Sequence, residues 1–305
     1  MKLLIIGGGG QLGSKLIEYG RENHTLYATY MTRRPFLDPE QTFQIDKTQK
    51  KSITDLVSKI KPSAVIDTAA LHNVDLCETD NAKAFSVNVE GTQNIAEVCN
   101  KLGAKMVFIS TDYVFDGTKG LYKEEDAPKP INYYGASKLQ GEQAVKKTCS
   151  NYAIARTSII YSYLPAKQEQ SSSGKPLNFA IWATEKLAKN ESLNIVNDQY
   201  GSPTLADSLA QTLIKICENN INGLYHIAGR TRLNRYEFTF KLAEKMGYDT
   251  TLIKPINSSN LKQTAERPLD SSLNVEKIEN TLKTPMLTID QALAILKSQS
   301  MERGD

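Results

Sequence analysis

This chain has little with which to bind a metal ion or form a disulfide frame, since it carries only 4 cysteines and 3 histidines in 305 residues. Cys77, Cys99, Cys149 and Cys217 are widely scattered and form no CxxC pair, and His24, His72 and His226 share no ligand spacing. That pattern reads as reduced structural thiols and predicts no metal site. Long apolar runs are missing too: none approaches the ~20 residues needed to span a bilayer. The first apolar stretch runs straight into glycines with no cleavage-like site, so no signal peptide and no membrane partner are expected, and the expected compartment is the cytoplasm. Charge of one sign is also lacking. There are 37 Lys and Arg against 34 Asp and Glu, and basic residues cluster no further than adjacent pairs such as Arg33–Arg34. A nucleic-acid partner, which would call for a basic stripe, is not expected.

What is present is an ordinary globular composition, 40% hydrophobic and 23% charged, in a chain long enough for a large α/β domain plus a smaller one. Short apolar runs at 2–6, 25–30, 64–68, 105–110 and 152–157 read as buried strands. Helical patterns cover 11–20, 52–61, 81–102 and 134–147, with Pro62 ending the second. Strands joined through helices of this length predict right-handed βαβ units, hence a Rossmann-type, doubly wound parallel sheet. After about residue 160 the texture changes. The stretch 165–176 (PAKQEQSSSGKP) is polar and of low complexity and reads as an exposed loop. A helix at 178–190, a strand at 193–196, a helix at 205–219 and a strand at 224–227 follow, then a tail with Pro255, Pro268 and Pro285 between short helices. The expected division is a dinucleotide-binding domain at 1–160, which also receives elements from 193–230, and a mainly substrate-binding α/β domain at 161–305.

Residues 7–13 read GGGGQLG, directly after the first strand and before a helix. Glycines at Gly7, Gly10 and Gly13 let a pyrophosphate approach the backbone, and the helix N-terminus offers it free N–H groups and a positive dipole end. An NAD enzyme usually places an acid at the end of its second strand to hold the ribose hydroxyls. Here that strand reads TLYATYM and is followed by Thr32, Arg33 and Arg34. An arginine can pair with a 2′-phosphate, so NADP(H) is the expected cofactor, with NADH as the alternative and two solvated arginines as the plain structural reading.

Residues 134–138 read YGASK. Tyr134 and Lys138 are four apart, on one helix face. A phenol titrating near ~10 donates poorly at neutral pH. A neighbouring ammonium stabilises the phenolate, so Lys138 is expected to lower the pKa of Tyr134 and make it a general acid for carbonyl reduction. The pair follows STDYVFDG (110–117), which lies at the carboxyl end of a predicted strand, where open parallel sheets bind ligands.

These stretches, with DTAALHNVDLCE (67–78), NVEGTQNIAEVC (88–99), RTSIIY (156–161), DQYGSPT (198–204) and ERPLDSSLN (266–274), span nearly the whole chain in order. Together they resemble the extended short-chain dehydrogenase/reductases, and most of all the dTDP-4-dehydrorhamnose reductase family. The resemblance implies NADPH-dependent reduction of a 4-keto nucleotide-sugar, with Thr111, Tyr134 and Lys138 as the catalytic trio. It further implies that Gln11, Leu12, Asp46, Ala69, Ala70, Asn88 and Ser110 join the glycines, Arg33, Tyr134 and Lys138 around the cofactor. Asp112, Tyr113 and Asn178 would join Thr111 and Tyr134 at the substrate. A homodimer is compatible with it. Two other readings share the scaffold: a nucleotide-sugar epimerase or dehydratase, and an NADP-binding regulatory subunit resembling methionine adenosyltransferase beta.

Three positions depart from the family pattern. Ile159 replaces an aromatic expected beside the sugar. Lys15 stands where some members carry a glutamate that binds a magnesium ion between two subunits, so no such metal is expected. The polar loop 162–177 is longer than usual. Four other candidates have plainer accounts: His72 as a surface or satisfied histidine, Trp182 as core, and Asp75 and Glu78 as acids near a helix start.

Overall fold

The computed structural model describes residues 1–163 and 178–303, so the predicted loop at 165–176 lies outside the described residues. In chain order the first half contains β1 (Lys2–Ile6), α1 (Gln11–Gly20), β2 (Thr25–Tyr30), β3 (Thr42–Gln44), α2 (Lys50–Ile60), β4 (Ala64–Asp67), α3 (Val74–Thr79), α4 (Asn81–Phe85), α5 (Gly91–Leu102), β5 (Lys105–Thr111), α6 (Tyr133–Thr148), β6 (Tyr152–Thr157) and β7 (Ile160–Tyr161). The second half contains α7 (Phe179–Ala188), β8 (Leu193–Val196), β9 (Tyr200–Gly201), β10 (Thr204–Leu205), α8 (Ala206–Glu218), β11 (Gly223–His226), β12 (Leu233–Asn234), α9 (Arg235–Met246), β13 (Ile253–Ile256), α10 (Glu276–Leu282) and α11 (Ile289–Arg303). The single helix predicted at 81–102 is broken by a π turn at Ser86–Glu90, and the tail ends in a helix of 15 residues rather than short ones.

Seven strands form one sheet in the order β11-β6-β5-β4-β1-β2-β3, and every pairing within it is parallel. The strand order reverses between β1 and β4, which makes that crevice the topological switch point where such sheets take ligands. Alternation along the strands feeds two cores. Leu3 and Ile5 of β1 join the cluster under α1 and α8, while Leu4 and Ile6 join the cluster under α2, α5 and α6. Each side chain of this size contributes about 1.5–3 kcal/mol by leaving water, and a sheet covered on both faces needs both sets.

Part of the second half returns to this sheet. β11 pairs with β6, and Leu209, Leu213 and Ile216 of α8 pack in the same core as Leu16 of α1. β8, expected among the returning elements, instead pairs with β13. It belongs to a third cluster that includes Tyr161, Leu187, Ile195, Phe238, Leu242 and Leu293. The helix α9 in that cluster starts with a full capping box, Asn234 accepting from the Glu237 N–H and Glu237 accepting from the Asn234 N–H.

Candidate functional site

The glycine loop connects β1 to α1 at the switch point. Gly7 holds φ at +88°, which only glycine adopts without strain. A Cβ on Gly9 would lie 1.9 Å from the Arg33 carbonyl oxygen and one on Gly13 would lie 2.3 Å from the Gly7 carbonyl oxygen, so these two glycines serve close packing of the loop. Gly10 differs: its Cβ would meet only the Gly7 oxygen at 3.3 Å, and as the N-cap of α1 it contributes no side-chain acceptor. The first turn of α1 carries no acid, and the buried Gln11 Nε2 has no hydrogen-bond partner. Orphaned donors at a helix N-terminus fit a phosphate. Leu12 is buried beneath the loop. Arg33, half-buried against Gly9, makes no ion pair or hydrogen bond through its guanidinium among the described residues, whereas Arg34 Nε donates to Thr42 Oγ1 at 3.1 Å. Asp46 accepts from the Thr48 N–H at 2.9 Å.

The reacting groups are brought together by the docking of α6 on the turn after β5. Asn132 caps α6 by accepting from the Gly135 N–H at 2.9 Å, and it donates to the Glu266 carbonyl at 2.9 Å. Glu78 accepts from the Tyr133 N–H at 2.9 Å, and Asp75 accepts from the Ala265 N–H and pairs with Arg267. These two acids therefore tie α3 to its neighbours, which is more than the dipole role expected of them. Tyr134 follows, half-buried, its ring edge-on to Tyr113 with centroids 5.9 Å apart. Lys138, one turn on, is 2% exposed and holds its ammonium 4.0 Å from the centroid of the Phe108 ring. Thr111 ends β5 and accepts from the Tyr113 N–H at 3.2 Å.

The Tyr134 phenol does not show the expected lowering of its pKa. Burial dominates and pushes the phenol above its ordinary value, while the Thr111 hydroxyl beside it acts in the opposite direction. Burial, followed by the charge of Lys47, pushes Lys138 down to about 7. An apolar setting disfavours both charged forms, so the ammonium is weakened along with the phenolate it was expected to stabilise.

Asp112 and Asn178, both expected at the substrate, also carry structural roles. The Asp112 carboxylate is buried and accepts from three hydroxyls: Thr111 at 3.1 Å, Ser158 at 2.8 Å and Ser271. It holds three chain segments together. Asn178 caps α7, accepting from the Ile181 N–H at 3.1 Å and donating to the Ser162 carbonyl at 2.8 Å. Asn88 is fully buried, and its amide bonds both backbone groups of Leu71 and the Ser137 hydroxyl. It thereby fixes the β4 turn, where Ala69 and Ala70 lie half-exposed, against α6. Ser110 donates to Glu142 at 2.6 Å. Ile159 adopts φ +43°, an unusual conformation for a β-branched residue, and packs on Gly201. His72 is exposed and Trp182 packs beside Phe179 on the third core.

Several residues around the site escaped sequence reasoning. Lys47 is buried and donates to Asp67 at 2.8 Å, to the Ala69 carbonyl at 2.7 Å and to Thr92 at 3.2 Å. Glu142 and Arg156 form a buried bidentate pair with both bonds at 2.8 Å. A lone arginine within the apolar strand YAIART was a legible sign that a buried carboxylate must face it. Lys15 is 3% exposed and lies 2.9 Å from Asp207 and 3.0 Å from Glu18. Among the described residues no group of three or more His, Cys, Asp or Glu is arranged to hold a metal ion, and no helix is long and apolar enough to cross a membrane.

A doubly wound parallel sheet with a glycine loop at its switch point, and a tyrosine and lysine one turn apart beside the adjacent strand end, defines an extended short-chain dehydrogenase/reductase. Residues 1–300 match the family model described as the RmlD substrate binding domain. The chain is 32% identical to a dTDP-4-dehydrorhamnose reductase of Aggregatibacter actinomycetemcomitans over 291 residues, covering 91% of this chain and 92% of the relative. It is 31% identical to a probable low-salt glycan biosynthesis reductase of Haloferax volcanii, covering 98% of each. The crystal structure of dTDP-4-dehydrorhamnose reductase from Bacillus anthracis in complex with NADP superposes with a TM-score of 0.85 at 28% identity, covering 98% of this chain and 99% of that one. The chain belongs to the dTDP-4-dehydrorhamnose reductase family.

Proposed function

We propose that the protein reduces the 4-keto group of a nucleotide-linked deoxysugar with NADPH, converting dTDP-4-dehydro-L-rhamnose to dTDP-L-rhamnose. The observation that carries this reading is the docking of α6 on the β5 turn, which brings Tyr134 and Lys138 to the strand end that carries Thr111. Family membership and the NADP complex of the Bacillus anthracis relative support the choice of cofactor.

Gly7, Gly10, Gln11, Leu12 and Gly13 would hold the pyrophosphate, with Arg33 available to a 2′-phosphate and Asp46, Ala69, Ala70 and Asn88 around the rest of the cofactor. When bound, the reduced nicotinamide supplies the hydride to the sugar carbonyl carbon. Tyr134 donates its phenolic proton to the carbonyl oxygen. Thr111 hydrogen-bonds that oxygen as negative charge develops on it, an interaction strengthened in a partly dehydrated cleft. Lys138, in its ammonium form, favours the phenolate that Tyr134 becomes. Tyr113 packs edge-on against Tyr134 and fixes its ring.

The test is a panel of 4-keto sugar nucleotides with purified protein, following loss of NADPH absorbance. Stoichiometric NADPH oxidation with the dTDP-linked rhamnose precursor is expected. Turnover without net NADPH loss would point to an epimerase or dehydratase, and NADPH binding without turnover of any sugar nucleotide would point to a regulatory subunit.

A further inference from the structure

Five charged side chains share one buried face of the sheet. Lys47, Asp67, Lys138, Glu142 and Arg156 are 4%, 1%, 2%, 0% and 1% exposed, respectively. The strand register explains their alignment. Asp67 of β4 is the neighbour of Phe108 in β5, and Ser110 of β5 is the neighbour of Arg156 in β6. Phe108 and Ser110 are two apart, so their side chains emerge on the same face. Lys138 lies over the Phe108 ring and Glu142 accepts from Ser110, these two α6 residues being one turn apart on the same helix face. At one end Lys47 bonds Asp67 at 2.8 Å, and at the other Arg156 bonds Glu142 twice at 2.8 Å. The signs therefore alternate along the row, plus, minus, plus, minus, plus, with Lys138 in the middle. Each carboxylate next to Lys138 is already claimed by an outer cation.

We propose that Lys47 and Glu142 are positioning residues that set the charge state of Lys138 in opposite directions, Lys47 disfavouring its ammonium and Glu142 favouring it. Neither residue needs to touch substrate. The mechanistic consequence rests on the reductase reading above, in which Lys138 acts as an ammonium.

The titratable groups that act most strongly on Lys138 fit this assignment. Lys47 opposes its charge, while Asp67 on β4, Glu142 on its own helix and Cys77 on α3 support it. Cys77 is a minor member, because burial pushes its thiol up to about 11 and its Sγ is engaged with the Leu71 carbonyl at 3.3 Å. With Lys138 held near 7, small changes in the surrounding charges alter its protonation across the physiological range.

The experiment is a pH titration of the full-length protein labelled with ¹³Cε- and ¹⁵Nζ-lysine, read by NMR, with the Lys138 signal identified by its loss in Lys138→Met. Lys47→Gln keeps a donor for Asp67. A Glu142→Gln/Arg156→Met double variant removes both members of the outer pair and leaves no lone ion there, while Lys47→Gln leaves Lys138 as the remaining cation beside Asp67. Lys47→Gln should raise the Lys138 midpoint by about half a pH unit or more, and the double variant should lower it by a similar amount. The alkaline limb of kcat/KM should move the same way in each. A purely structural role for these residues would lower yield or Tm without moving the midpoint in opposite directions. Midpoints that stay fixed, or move the same way in both variants, overturn the proposal. If no sugar nucleotide is reduced, the proposed function fails while the NMR titration still decides this inference.

Discussion

Gly135→Ala tests whether the fit of α6 against the β5 turn is what aligns the reacting groups. The added methyl would lie 2.0 Å from the Tyr113 carbonyl oxygen, 2.8 Å from its carbonyl carbon and 3.1 Å from Pro130 Cβ. Ordinary carbon–oxygen contact begins near ~3.3 Å, so the first turn of α6 must retreat by roughly 1 Å. Overpacking of this kind costs about 1–3 kcal/mol of stability. Its larger effect should be on rate, because Tyr134 precedes Gly135 and moves with it, and a misplacement of about 1 Å at a reacting centre can cost ~10²-fold. Gly103→Ala is the control. Gly103 holds φ +68° with nothing within 4 Å of an added Cβ, at the far end of α5. That substitution strains the backbone by about 1–2 kcal/mol without touching the site. Steady-state NADPH oxidation and thermal melts on both variants separate the two effects. Gly135→Ala should lower kcat by ~10²-fold, whereas Gly103→Ala should lower Tm and leave kcat near the parent value. If Gly135→Ala turns over within twofold of the parent with an unchanged melt, the docking argument is refuted.

Tyr134→Phe should keep NADPH binding, measured by fluorescence titration, while single-turnover reduction falls by ~10²-fold or more. Parent-like reduction by that variant would remove Tyr134 as the proton donor. Arg33→Ala should narrow the preference for NADPH over NADH in the same titration; a parent protein with equal affinity for both would contradict the phosphate role. Activity should survive EDTA, since Lys15 and Asp207 neutralise each other where a metal was the alternative, and a loss restored by magnesium would show otherwise. His226 is pushed from 6.5 down to about 3, by burial first and Arg156 second. Below pH 6.5 the unfolded chain therefore takes up a proton that the folded protein refuses. Its contribution is fully present above pH 6.5 and is lost as pH falls towards 3, so Tm should drop over that window and His226→Gln should flatten the drop.

The strands and helices that bury a continuous apolar run were legible because periodicity and length identify them, as in β1, α1 and β5. β3, β7, β9, β10 and β12 are two or three residues long and carry no period, so only tertiary pairing reveals them. The glycine loop and the Tyr134–Lys138 spacing were legible because local geometry demands those residues. The N-cap role of Asn178 was legible too, since an asparagine ahead of an apolar helix satisfies the N-cap rule. Lys47 and Asp67 are 20 residues apart, just after β3 and at the end of β4, strands separated in the sheet by β1 and β2, so nothing local announced their pairing. The titration of Tyr134 and Lys138 depends on how deeply each is buried, which a motif does not encode.

The Asp112 carboxylate has a practical meaning for anyone recombining members of this family. The adjacent Thr111 is joined on it by Ser158 and Ser271, which come from distant points of the chain. A crossover placed anywhere between 159 and 270 takes the first two from one parent and the third from the other. Such a chimera keeps this junction only if the second parent supplies a hydroxyl at the third point. A protein shortened before 271 would lose one of the three donors, and Asp112 would be left with a buried oxygen it had shared between two serines. The apparent freedom to exchange the substrate half for another specificity is therefore limited by a single buried carboxylate.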